Sequence, residues 1–305
     1  MDTTLGNFQQ LESKYDRHTQ LKAFDDTKAG VKCLVDAGIT KIPRSFIHDQ
    51  TRSMTSLVQV PRNIAYPSLI WKASKEIQAF VERYIIDKVR QACERWGFFQ
   101  MISHGIPTTL LDDVIDGMRR FHEQDTEVKK HFFTRDETRK VIYNTNFDFF
   151  QAKAATWRDS LYCLMAPLPP NPEKLPAVCS YLYFISHVVD LLFCFAYGHV
   201  MVNYSNKVMQ LGLTILELLS EGLGLHPDHL KYMGCAEGLY FICNYYTASP
   251  EPTLKLGINK HTDIAFFSVL LHDQLGGLQV LHEDQWFDVT PISGALVINL
   301  GDMSQ

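Results

Sequence analysis

What this 305-residue chain lacks narrows it first. It has no Cys-x-x-Cys pair. Its seven cysteines (Cys33, Cys93, Cys163, Cys179, Cys194, Cys235 and Cys243) are scattered and odd in number, which argues against a zinc ribbon and against a disulfide framework. No run of Lys and Arg with interleaved aromatics occurs, and the net charge is -5, so the basic stripe that a nucleic-acid surface needs is missing. The opening stretch MDTTLGNFQQLESKYDR is polar, without the apolar core of a secretory signal. Internal repeats and low-complexity tracts are absent. These absences point to a cytoplasmic protein, read as a monomer, whose partners are small molecules. One long apolar run, Tyr181 to Val202, raises the question of a membrane span. His187, Asp190 and His199 interrupt it, and a charge near the middle of a span costs a few kcal/mol, so the expectation is no membrane insertion.

What is present changes texture along the chain. Thr27 or Asp26 is placed to cap a short helix through Val31, Leu34 and Val35 that Gly38 ends. From Ala73 to Trp96, Phe80, Val81, Tyr84, Ile85, Val89, Ala92 and Cys93 recur at helical spacing. Gly97 stops that helix, Phe98 to Ile102 reads as a short strand, and the turn His104-Gly105-Ile106-Pro107 leads into a helix carrying Leu110, Leu111, Val114, Ile115, Met118 and Phe121. A later helix runs from Asn203 to Gly222. Beyond it, Leu239 to Tyr246, Ile258 to His261, Ala265 to Leu271, Gly277 to Leu281 and Ala295 to Leu300 read as short strands between Gly, Pro, Asp and Asn turns. Helices first and closely spaced strands afterwards predict an α+β chain with an all-β core.

His261-Thr262-Asp263 is the strongest candidate for chemistry. On a strand, residues two apart share a face, so an imidazole and a carboxylate would converge on one point. Two histidines and one carboxylate on one face of an octahedral iron(II) leave three positions for a bidentate 2-oxo acid and dioxygen. The motif is cheap by itself. His226-Pro227-Asp228 and His282-Glu283-Asp284 occur in the same chain, where Asp228 is a natural helix cap and the second pair sits in a hairpin loop.

Context adds to this. NYYTASPEP (Asn244 to Pro252), the His-Thr-Asp with the following FFSVLLHDQLGGLQVLHEDQWFDV, and PISGALVINLGD (Pro291 to Asp302) occur in that order and resemble the catalytic domain of plant iron(II), 2-oxoglutarate-dependent dioxygenases. RWGFFQMISHGIP (Arg95 to Pro107) resembles the signature of their N-terminal domain. KAGVKCLVDAGITKIPRSFI (Lys28 to Ile47) and AATWRDSLYCLMAPLPPNPEKLPAVC (Ala154 to Cys179) resemble the branch of 1-aminocyclopropane-1-carboxylate oxidase homologues. The resemblance implies a double-stranded β-helix core, a jelly-roll of the cupin kind, behind a helical N-terminal domain. Residues 1–170 would form the N-terminal domain, 171–235 connecting helices with an apolar insertion at about 181–202, and 236–305 a partial jelly-roll. It implies His261 and Asp263 as iron ligands, and Tyr246 with Asn244 as holders of the 2-oxoglutarate carboxylate. Asn299 and Asp302 match a structural turn. It also implies dioxygen and a small metabolite of plant secondary metabolism as substrates, with ascorbate left open as an additional cofactor.

Two departures from the family pattern shape the expectation. A second ligand histidine and an Arg-x-Ser pair, placed by the family beyond Asp302, are not among these residues, so the chain is expected to be C-terminally truncated and impaired. About eighteen residues look inserted between Cys179 and Val208, and Ser56 to Lys72 lacks the expected Ile-Pro-x-Ile-Asp strand. Three readings stay open: a 2-oxoglutarate-dependent oxidase of a small metabolite, a true 1-aminocyclopropane-1-carboxylate oxidase forming ethylene, and a non-catalytic binding protein.

Overall fold

The computed structural model describes residues 16–48, 58–59, 64–65, 75–184 and 195–304. The chain forms two compact units, each assembled from separated stretches: Met1–Ser53, Gly117–Ser180 and Tyr240–Lys260 in the first, and Met54–Asp116, Tyr181–Leu239 and His261–Gln305 in the second.

In the first unit, helices α1 (Arg17–Asp26) and α2 (Gly30–Asp36) precede a three-stranded sheet of β4 (Val141–Thr145), β5 (Asp159–Ala166) and β8 (Leu239–Tyr245), with β5 in the middle. β4 and β5 run antiparallel, Asn144 opposite Ser160 and Thr145 opposite Asp159. Short strands are expected within the mainly helical stretch 1–170, but the sequence reading places neither of these two. β5 declares itself by alternation: Asp159, Leu161, Cys163 and Met165 are buried, while Tyr162, Leu164 and Ala166 on the other face are only partly so. Phe24, Phe46, Phe149 and Trp157 make the aromatic centre of this core, with Trp157 and Phe46 edge to face at 5.2 Å. The Trp157 indole N–H donates to the Ala248 carbonyl at 3.2 Å, so its polar end is satisfied while the ring is fully buried.

The cap expected of Thr27 belongs elsewhere. Thr27 closes α1, its hydroxyl donating to the Phe24 carbonyl at 2.6 Å, and α2 has no side-chain cap of its own. Asp159 supplies that function from β5, accepting from the backbone N–H groups of Val31 at 2.8 Å and Lys32 at 2.9 Å. A cap delivered from 128 residues away has no local signature.

In the second unit, α3 (Lys75–Trp96) packs against α6 (Val200–Gly222). α6 buries Met201, Tyr204, Val208, Leu211, Ile215 and Leu218, the stripe that its period of 3.6 dictates. α3 buries Ile85 and Val89 but leaves Phe80 and Tyr84 exposed, contrary to the expected apolar face. Each residue turns about 100° round the axis, so a position next to Ile85 already leaves the buried stripe. α4 (Thr108–Glu123), whose residues from Gly117 onward belong to the first unit, forms as expected, burying Leu110, Leu111, Val114, Met118 and Phe121. A four-stranded sheet has the order β2 (Ile64–Ala65), β3 (Phe98–Ile102), β12 (Leu296–Leu300), β9 (Phe267–Leu270). A second sheet joins β1 (Val58–Gln59), β11 (Gln285–Asp288) and β10 (Gln279–His282). The β10–β11 hairpin turns through Glu283 and Asp284, both at positive φ, as the loop reading of His-Glu-Asp requires. The His104 ring bridges Ile106 N–H at 3.2 Å and the Gly294 carbonyl at 2.9 Å, tying the His-Gly-Ile-Pro turn to the approach of β12.

The apolar run is split. Its flanks form a two-stranded ribbon, β6 (Ser180–Phe184) and β7 (Phe195–His199), and residues 185–194, the middle of the insertion expected at about 181–202, lie outside the described residues. Among the described residues no helix is long and apolar enough to cross a membrane. Most of Ser56 to Lys72 also lies outside them, apart from β1 and β2. The short helices α5 (Thr126–Lys130) and α7 (His229–Tyr232) complete the description. Asp228 occupies the cap position of α7 but makes no side-chain cap bond there.

Candidate active site

The strand expected over Ile258 to His261 does not form. His261, Thr262 and Asp263 lie in an irregular segment that precedes β9, so the shared-face argument does not apply to them. The segment is held by the end of β12. Asp302 N–H donates to the Asp263 carbonyl at 2.8 Å, Gly301 N–H to the Phe266 carbonyl at 3.0 Å, and the Thr262 hydroxyl to the Asp302 carboxylate at 2.9 Å. Gly301 makes the crossing possible, because a Cβ there would stand 2.0 Å from the Ala265 carbonyl oxygen and 2.7 Å from that of Asp263.

This irregular backbone nevertheless brings the two expected groups together. His261 Nε2 lies 3.5 Å from Asp263 Oδ1, with the side chains half and about one-third exposed. The other carboxylate oxygen, Oδ2, accepts from the Ser268 hydroxyl at 2.6 Å and from the Asn299 side-chain amide at 2.9 Å. Asp263 is therefore clamped by β9 and β12 through one oxygen and presents the other beside an imidazole. Hydrogen bonding from His261, then from Ser268 and Asn299, holds its carboxyl well below the usual carboxylate range. Asn299, expected to be only a turn residue, thus orients Asp263. Sequence reasoning misses Ser268 and Gly301 altogether, and the one available signal for Ser268 is a lone hydroxyl inside the apolar run Phe266 to Leu271.

An imidazole nitrogen and an ionised carboxylate oxygen are donors that suit iron(II). The pair fits that metal as two of its three protein ligands. Among the described residues no group of three His, Cys, Asp or Glu side chains converges to complete the set.

The other two expected residues belong to the first unit. Asn244 lies on β8, and its side-chain oxygen accepts from the Ser160 hydroxyl at 2.7 Å. Tyr246 follows β8 and is half-exposed. Packing around its phenol raises the pKa, against the opposing pull of the neighbouring Arg158 charge. Gly257 passes beneath the ring, where a Cβ would sit 2.8 Å from it. Nothing in the local sequence marks Arg158 or Ser160 for a role in this region.

Two family models match the chain: the N-terminal region of the non-haem dioxygenases of morphine synthesis over residues 75–178, and the 2OG-Fe(II) oxygenase superfamily over residues 238–305. Among curated proteins, the chain is 46% identical over 290 residues to 1-aminocyclopropane-1-carboxylate oxidase homolog 1 of Arabidopsis thaliana, covering 95% of this chain and 74% of that one. It is 44% identical over 301 residues to the 1-aminocyclopropane-1-carboxylate oxidase homolog of Solanum lycopersicum, covering 97% and 76%. Among solved structures, JOX2 in complex with 2OG, Fe and JA superposes with a TM-score of 0.72 at 24% identity, covering 90% of this chain and 74% of that one. The fold is therefore that of the 2-oxoglutarate–iron(II) oxygenases, with a jelly-roll core.

Proposed function

Because this chain belongs to the plant family of 1-aminocyclopropane-1-carboxylate oxidase homologues, within the 2OG-Fe(II) oxygenase superfamily, we propose that it serves the oxidation, by hydroxylation or a related step, of a small plant metabolite. The superfamily uses iron(II) and 2-oxoglutarate, with dioxygen. The observation that carries the reading is the His261–Asp263 pair: two donors 3.5 Å apart, one of them aimed by Ser268 and Asn299.

In this reading His261 and Asp263 would hold the metal, and Ser268 and Asn299, bonded to Oδ2 of Asp263, leave its Oδ1 beside His261. Iron(II), when bound, supplies the redox chemistry that couples oxidation of the substrate to breakdown of 2-oxoglutarate into succinate and carbon dioxide. Within the first unit, Tyr246 and Asn244 are the residues that the family resemblance assigns to a 2-oxo acid carboxylate, and the Ser160 hydroxyl donates to the Asn244 side-chain oxygen.

Manganese(II) titration of the chain, followed by the loss of free-ion resonance signal, tests the pair directly. Binding that His261→Ala or Asp263→Ala abolishes supports it, and binding indifferent to both variants sinks it. Succinate release against ethylene release, with candidate small acids and 1-aminocyclopropane-1-carboxylate as substrates, separates a 2-oxoglutarate-dependent oxidase from the ethylene-forming alternative.

A non-catalytic protein that binds the co-substrate or substrate is the second reading, and metal affinity separates it from the first. A metal affinity in the millimolar range together with retained 2-oxoglutarate binding would select that reading.

A further inference from the structure

Around Asn244, the face of the first unit's sheet gathers several polar side chains, an arrangement that goes beyond the two residues already assigned. Along β5 the side chains of Ser160 and Tyr162 share one face, and Arg158, just before the strand, continues their alternation. Asn144 of β4 stands opposite Ser160, and Asn244 of β8 accepts from it on the other side. Three strands thus place Asn144, Ser160 and Asn244 in one polar row, with Arg158 and Tyr246 beside it.

Two features of this row ask for a ligand. Arg158 Nε and Nη1 are buried and find no hydrogen-bond partner among the described residues, and the Asn144 side-chain oxygen is in the same state. A buried guanidinium N–H without an acceptor is costly, and a cationic fork takes up a carboxylate in two parallel bonds. The Tyr246 phenol approaches the guanidinium, and the N–H groups of Nε and Nη1, which lie on different edges of its plane, remain unmet. No Asp or Glu carboxylate of the described residues forms a salt bridge with Arg158, although Asp159 follows it directly. Asp159 faces the opposite side of β5 and is consumed by Val31, Lys32 and Thr145.

We propose that Arg158 is the cationic half of a carboxylate-binding site on this face, with Tyr246 as its neutral partner. The ligand is a small organic acid. It is either the 2-oxo acid itself, in which case the inference deepens the reading of Tyr246 and Asn244 given above and rests on it, or the carboxylate of an acid substrate. Arg158 is a binding residue in both cases.

The test uses the full chain in metal-free buffer and reads binding by calorimetry with three probes: 2-oxoglutarate, phenylacetate as a hydrophobic monocarboxylate, and phenylacetamide as its neutral counterpart. Wild type is compared with Arg158→Gln and Arg158→Lys. The expected result is that at least one acid binds wild type, that Arg158→Gln weakens that acid by about tenfold or more, and that Arg158→Lys recovers part of the loss. Phenylacetamide should bind the three proteins alike or bind none of them. Loss confined to 2-oxoglutarate assigns the site to the co-substrate, and loss confined to phenylacetate assigns it to an acid substrate. A melting temperature of free Arg158→Gln equal to or above that of wild type supports a ligand role, because a guanidinium kept for structure would lower it on removal. Equal binding of both acids to wild type and Arg158→Gln overturns the proposal, as does the failure of both acids to bind wild type at millimolar concentration. Since no metal takes part, failure here leaves the His261–Asp263 reading to its own titration.

Discussion

Asn299 reaches across 36 residues of sequence to donate its side-chain amide to the outer oxygen of Asp263 at 2.9 Å. The bond joins β12 to the irregular segment before β9, and with the Ser268 hydroxyl it fixes which carboxylate oxygen stands beside His261. Groups that orient a metal-binding carboxylate typically contribute about 10- to 100-fold in metal affinity. Asn299→Ala is therefore expected to weaken manganese(II) binding by about tenfold while leaving the fold intact. A titration in which Asn299→Ala and wild type coincide would show that Asp263 needs no such support.

Gly301 tests the same region from the backbone side. A methyl group placed there meets the Ala265 carbonyl oxygen at 2.0 Å, and the obstacle is main chain, so no rotamer change relieves it. Gly301→Ala must push the 263–266 segment away from β12 and break the bonds from Gly301 and Asp302 N–H to Phe266 and Asp263. Overpacking of this kind costs about 3 kcal/mol. Urea denaturation should show a loss of that order, and the variant should lose metal binding as well. Unchanged stability would mean that the close crossing is not a property of the folded protein.

His122 makes the acid stability of the first unit predictable. Its ring is fully buried, stacked on Tyr245 at 4.8 Å, with Nε2 3.7 Å from the Cys243 thiol and the Lys129 ammonium bonded to its own carbonyl. Burial, assisted by the Lys129 charge, pushes its pKa down to about 3 from an ordinary 6.5. The unfolded chain therefore takes up a proton at this site before the folded one does. The group's contribution to stability is complete above about pH 6.5 and is lost progressively as pH falls toward 3, at about 1.4 kcal/mol per pH unit. His122→Gln removes the titration, so its stability should vary less than that of wild type between pH 6.5 and 4. Equal slopes in urea melts across that range would count against a buried neutral imidazole.

How much of this could be read from the sequence depends on how local each cause is. The helices α3, α4 and α6 and the strands β3, β8, β9, β10 and β12 follow from periodicity and from turn residues, which act over a few positions, whereas β11 escapes because its first residues, Gln285 and Trp286, read as hairpin loop. β4 and β5 escape because their partners are distant and their flanks resemble loops, and the capping of α2 by Asp159 escapes for the same reason. At the candidate site, His261 and Asp263 stand together as their motif suggests, though by a route that the strand argument does not foresee. What orients them, Ser268 and Asn299, becomes visible only when β9 and β12 are seen as neighbours. Arg158 is invisible for a further reason. An arginine in a sequence is usually a solvated charge, and only its unmet buried N–H groups distinguish it.

Asp159 offers the sharpest stability test in the first unit. It is buried, accepts from Val31 N–H, Lys32 N–H and the Thr145 hydroxyl, and lies in the field of the fully buried Lys129 ammonium. Desolvation raises its pKa and these partners oppose that rise, so the folded protein depends on the hydrogen bonds as much as on charge. Asp159→Ala leaves two N–H groups at the start of α2 without their acceptor and removes the negative charge that offsets Lys129, a combination that costs about 3 to 5 kcal/mol. Asp159→Asn keeps one acceptor oxygen and should recover part of that loss. Pairing Asp159→Ala with Lys129→Met in a double-mutant cycle apportions the effect. If charge compensation matters, the double variant is more stable than the sum of the two single losses. A strictly additive result would assign the whole cost of Asp159→Ala to the lost acceptors of α2 and Thr145.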